Sequence, residues 1–180
     1  AGGTCSSGTW NAVTTNETVA TNEYTWSAVP TNVKSETAYL RIRDSRHPSQ
    51  TCLVMPASFR IRPELDVTGP ITSDIFTVND IEASIIKWSQ LRSATGVATV
   101  DLFYTENASD PTPTWNAIPE LISPAQVYVD VPVGSGTAGI PWKIPDAIGS
   151  DVQIKVVDHA VGYEAVLAKS DVFRIKGGLT

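Results

Sequence analysis

The chain has 180 residues, of which 42% are hydrophobic and only 18% charged, and its formal net charge is −6. The 19 acidic residues outnumber the 13 basic ones, which do not cluster. That balance excludes a nucleic-acid partner, since phosphate contacts need a basic face, and it argues against docking on anionic lipid. No apolar run approaches the ~20 residues of a membrane helix, so no membrane insertion is expected.

In chain order, the elements read as short strands with period-two alternation. The first third carries Trp10, Trp26, Leu40-Arg41-Ile42 and Phe59-Arg60-Ile61. An edge strand follows around residues 75–78, then Ala83 to Trp88 and, after the Thr95-Gly96 turn, Val97 to Tyr104. Trp115 to Ile118 is short; Val127 to Val131, Ile140 to Ile144, Val152 to Val156 and Val172 to Ile175 complete the series. Twelve prolines and the lack of any long 3.6-residue periodicity leave room only for single helical turns. Turn signals every ~8–12 residues match a two-sheet sandwich. The expected class is all-β.

The chain also repeats itself. Residues 38–65 align with residues 152–179 at a constant offset of 114, with identities at Asp44/Asp158, Leu53/Leu167, Phe59/Phe173, Arg60/Arg174, Ile61/Ile175 and Leu65/Leu179. Thr9-Trp10-Asn11-Ala12-Val13 returns as Thr114-Trp115-Asn116-Ala117-Ile118, and Trp26 to Pro30 returns as Trp142 to Pro145. The two tryptophan landmarks are 16 residues apart in the first copy and 27 in the second, so the second copy holds an insertion around Tyr128 to Gly139. The expected division is residues 1–65, the later half of a sandwich repeat, and residues 66–180, a complete repeat. About 40 residues present before Trp115 have no counterpart before Trp10. The first half should therefore expose its inner face and an open sheet edge. Three sources of the missing strands are weighed: more chain of a longer array, a neighbouring copy adding strands in trans to build a filament, or a separate small polypeptide.

These landmarks resemble a family of Ig-like repeats in large bacterial and archaeal surface proteins, related to the Ig-like module of fungal cell-wall glycoproteins. The units of that family run as I-x-W, V-x-L-x-Y, T-W, W-x-V-P, V-x-I-x-V-x-D and F-x-I. The matching residues are Ile86-Lys87-Trp88, Val100 to Tyr104, Thr114-Trp115, Trp142 to Pro145, Ile154 to Asp158 and Phe173-Arg174-Ile175. The family's Asp-Gly-Gly turn is replaced by Glu106 to Pro113. The resemblance implies tandem immunoglobulin-like β-sandwiches, an extracellular or cell-surface location, a spacer, adhesive or filament role, and no catalytic residues. A carbohydrate-binding module of a secreted enzyme is a further alternative.

Motifs for chemistry are few. No HExxH, GxSxG or phosphate-binding loop occurs. His47 and His159 follow a strand-ending aspartate at different spacings, which reads as loop histidine rather than shared catalysis. Asp146, Asp151 and Asp158 are the candidate calcium ligands, against turn-capping as the alternative, and no other cofactor is expected. Cys5 and Cys52 are either a disulfide or two free thiols. Asn16 and Asn107 begin glycosylation triplets. Trp10, Trp26, Trp88, Trp115, Trp142, Phe59 and Phe173 are the expected core anchors, with an aromatic platform for sugars as the competing role of the tryptophans.

Overall fold

The computed structural model describes residues 5, 9–13, 23–26, 29, 33–48, 50–91, 96–121 and 126–178. The chain divides into two compact units, Ala1–Arg62 and Pro63–Thr180. The division falls three residues before the expected one, because Leu65 belongs to a strand of the second unit.

Unit 1 contains β1 (Ser35–Ala38), β2 (Arg41–Arg43), β3 (Cys52–Val54) and β4 (Phe59–Ile61). They form two antiparallel pairs, β1 with β4 and β2 with β3. None of its described residues is buried.

Among its described residues unit 2 is all-β apart from one α-helical turn. Its elements are β5 (Leu65–Gly69), β6 (Ile75–Thr77), β7 (Ile81–Gln90), β8 (Thr99–Thr105), β9 (Asn116–Ala117), β10 (Val131–Pro132), α1 (Ser135–Ala138), β11 (Ile140–Lys143), β12 (Gly149–Asp158), β13 (Leu167–Lys169) and β14 (Phe173–Lys176). One sheet runs β10-β8-β12-β14-β6, with β13 paired to β12 and β9 to β8, and a three-stranded sheet runs β11-β7-β5. β14 and β6 pair in parallel, and the other pairings are antiparallel.

Alternation decides which residues meet between the sheets. Ile86 and Trp88 of β7, Trp142 of β11 and Leu65 and Val67 of β5 pack in one core with Val100, Leu102, Val152, Ile154, Val156, Phe173 and Ile175 of the larger sheet. Trp142 lies edge-on to Phe173 at 6.2 Å. Burying one indole of ~200 Å² contributes roughly 5 kcal/mol. α1 lies on β7 so closely that a Cβ on Gly136 would enter the Trp88 indole. Gly139 closes the turn at φ 86°, a conformation that favours glycine.

Two pairings obey the 114-residue offset. Ser35 and Ala38 of β1 face Ile61 and Phe59 of β4, with an irregularity between them. Gly149 and Val152 of β12 face Ile175 and Phe173 of β14, with an irregularity at the same place. The next pairing slips by one residue. Val156 faces Ala168 in unit 2, whereas Ile42 faces Leu53 in unit 1, where Val54 is the offset partner. A buried face pins register because a one-residue slip turns every side chain over. Unit 1 buries no face among its described residues, so this constraint is missing there.

Candidate functional site

The outstanding surface of unit 1 is the face of β2 and β3. Ile42 is 73% exposed and Leu53 68% exposed, whereas Val156, the offset equivalent of Ile42, is 0% exposed. In unit 2, β8 pairs with β12 from Gln153 to Asp158, and Ile86 and Trp88 join the same core. At the equivalent edge of unit 1, residues 39–44, no strand pairs among the described residues. Met55 donates its amide to the Leu40 carbonyl, and Asp44 donates to that of Thr51. In an antiparallel ladder the alternate residues bond in the opposite direction. The backbone groups of Tyr39, Arg41 and Arg43 therefore point to the open edge. Phe59 is half-buried, edge-on to Trp26 at 6.3 Å, while its equivalent Phe173 is buried. Arg60 and Arg62 both reach Glu36, at 3.1 and 2.8 Å.

The expected core anchors divide. Trp88, Trp142 and Phe173 are buried in the core of unit 2. Trp10, Trp26, Trp115 and Phe59 are only half-buried, so the expectation of core anchors is corrected for these four. Trp10 and Trp115 are held by cations: Arg41 lies 4.3 Å from the Trp10 ring centroid and Lys155 lies 4.4 Å from that of Trp115. Lys155 is the offset equivalent of Arg41. The outer sheet face thus covers each indole with the stem and charge of a long side chain.

Around Trp115 the arrangement has an addition. Lys169 brings a second ammonium to 5.2 Å from the same ring. Lys155 and Lys169 are direct cross-strand partners. Lys155 also lies 4.8 Å from the Phe103 ring, its cross-strand partner on the other side. Burial and then the charge of Lys169 push the Lys155 ammonium below its ordinary range.

The aspartate candidates for calcium do not converge, which corrects that grouping. Asp151 and Asp158 lie near opposite ends of β12, about 23 Å apart at the rise of a strand. Asp151 accepts from the Ser109 amide and hydroxyl, and these bonds hold its carboxyl below the usual range. Asp158 is buried and accepts from the Ala160 amide, as Asp44 accepts from that of Arg46. Both are turns closed two residues on. Asp146 is exposed. Among the described residues no three His, Cys, Asp or Glu side chains form a metal-holding group.

Long-range pairing also produces a cluster that sequence reading missed. His159 Nδ1 lies 2.8 Å from Asp101 and Nε2 4.0 Å from Asp130. The hydrogen bond to Asp101, then its charge, raises the imidazole above its ordinary range. Both ring nitrogens face carboxylates, which suits holding a proton rather than activating a nucleophile. The signal in sequence was Asp101 at an outward position of an alternating strand, but its partner is 58 residues away.

Cys5 and Cys52 form a disulfide with Cα atoms 6.1 Å apart, which fastens the start of unit 1 to β3. Asn107 is half-buried, and its carboxamide oxygen accepts from the Thr105 hydroxyl and the Thr114 amide, closing the 105–114 loop. Asn16 lies outside the described residues. No family model matches the chain, and neither a curated protein nor a solved structure is found to be similar to it.

Proposed function

We propose that this chain is a structural, non-catalytic module of an extracellular or cell-surface protein. In this reading it is built of tandem immunoglobulin-like sandwiches, and the open edge among the described residues of unit 1 accepts an added strand, which a neighbouring copy of the chain can supply. The observation that carries the reading is the contrast between Ile42 and Val156: equivalent residues, one 73% and the other 0% exposed. Beside Val156 lies its cross-strand partner Leu102 of β8, and Ile86 and Trp88 join the same core. A strand patterned like β8 fits the open edge of β2 by charge as well as shape. In the register of unit 2, Asp101 opposes Val157 and Phe103 opposes Lys155. The same strand laid on unit 1 would set its acid against Arg43 and its aromatic ring against Arg41. Repeated head-to-tail, such an addition makes a filament, because a contact that does not close propagates.

The test uses a peptide of residues 97–106 as the added strand. It should bind the whole chain, quench or shift the tryptophan emission, and lose binding on Ile42→Lys. Sedimentation should show self-association that the peptide competes away. Monomers at high concentration that ignore the peptide would overturn the reading.

A further inference from the structure

We infer that the outer sheet face of unit 2 carries a binding site for a linear acidic polysaccharide, centred on Trp115, Lys155 and Lys169. This site is independent of how unit 1 is completed.

The two units supply the argument. Each carries a tryptophan before its Asn-Ala pair, and each covers it with the cation at one strand position, Arg41 over Trp10 and Lys155 over Trp115. That pair is accounted for by folding alone, since it covers an indole that would otherwise be bare. Lys169 is not accounted for in this way. Its offset equivalent is Met55, and its ammonium joins a ring that already has a cation. Like charges directly opposite each other across strands are destabilising, and Lys155 and Lys169 are such a pair. The ion pairs of the described residues involve His47, Arg60, Arg62 and His159, not these two lysines. In a chain of charge −6, two cations held side by side across the ladder form a local anion site against the overall field.

The flanking groups set the class of ligand. Trp115 and Phe103 are only half-buried beneath these lysine side chains, and the apolar ring surface left open beside the ammonium groups can meet the C–H face of a sugar ring. The two ammonium groups beside them meet a carboxylate or sulfate on that ring. A nucleic acid would need a longer basic track than two lysines; Asp101, on the same outward face of β8, is engaged by His159.

Polygalacturonate and heparin are the probes, with dextran as the neutral polymer and a single-stranded oligonucleotide as the competing class. Affinity electrophoresis and tryptophan quenching of the intact chain should show retardation by at least one acidic polysaccharide and none by dextran. Polygalacturonate alone would mark a carboxylate site and heparin alone a sulfate site. Lys169→Gln, which removes no buried group, should weaken binding about ten-fold, the loss of one charge-assisted contact. Lys87→Gln, on the other sheet, should leave it unchanged. Binding of dextran as strong as that of the acidic polymers, stronger binding of the oligonucleotide, or a Lys169→Gln chain that binds like wild type would each overturn the inference. So would failure of both acidic polymers to bind.

Discussion

Arg41 lies over Trp10 at 4.3 Å as Lys155 lies over Trp115 at 4.4 Å. The strand position of the cation is the same in the two units, 114 residues apart. In unit 1, where no described residue is buried, such a surface contact has no core behind it. Arg41 also donates to the Cys5 carbonyl at 3.0 Å.

A double-mutant cycle of Arg41→Ala and Trp10→Ala should therefore give a coupling of about 0.5–1 kcal/mol, the range of an exposed cation–π pair. Denaturant-dependent hydrogen exchange of unit 1 amides in all four chains is the readout, since the emission of Trp26 overlaps that of Trp88, Trp115 and Trp142. Strictly additive losses would show that the two side chains do not interact.

The Cys5–Cys52 bridge spans 47 residues. On a chain-entropy estimate it restrains the unfolded state by roughly 4 kcal/mol, more than a unit without a described buried core can replace. Reduction should loosen unit 1 while the unfolding transition of unit 2 stays where it is. Hydrogen exchange resolved by unit, with and without dithiothreitol, checks this; an unchanged unit 1 would contradict it.

Gly136→Ala should destabilise unit 2 by about 1–3 kcal/mol, because the added methyl collides with the Trp88 ring in a packed core. Gly134, two residues earlier, has nothing within 4 Å of a built Cβ and a φ of −62°. Gly134→Ala should stay within about 0.5 kcal/mol of wild type. Equal effects of the two substitutions in urea denaturation would refute the packing of α1 on β7.

The raised imidazole of His159 predicts a direction with pH. Its protonated form is favoured in the folded state by the hydrogen bond and charge of Asp101. The stability this adds is complete below the unfolded imidazole value of ~6.5 and is lost as pH rises through the higher folded value. Melting temperature should fall slightly over that window in wild type and not in His159→Gln. An NMR titration of Asp101→Asn should find His159 deprotonating at lower pH than in wild type; no change would remove Asp101 as the cause.

Much of unit 2 could be read from alternation: β7, β8, β12 and β14 lie where period two puts them, with Trp88 two residues from Ile86 on the same buried face. The register of β9 could not. Ala117 pairs with Phe103, an outward residue of β8. Trp115, two residues earlier in the chain, is on the same outward parity. Residue type alone made Trp115 and Trp10 resemble Trp142, whereas strand parity separates them. The strand Leu65–Gly69 was also missed, because the identity of Leu65 with Leu179 drew it into the end of the first repeat. His159 and Asp101 meet only through the β8–β12 ladder, which no local spacing reveals.

Backbone hydrogen exchange of the isolated chain, compared at equivalent positions, tests the open unit 1 most directly. In the dilute monomer the amides of residues 39, 41 and 43 should exchange fast, while those of Gln153, Lys155 and Val157, which β8 covers, should be strongly protected. Adding the 97–106 peptide should then protect the first set selectively. Protection of residues 39, 41 and 43 in the peptide-free monomer equal to that of Gln153, Lys155 and Val157 would mean that the edge is already closed, and would overturn the proposed strand addition.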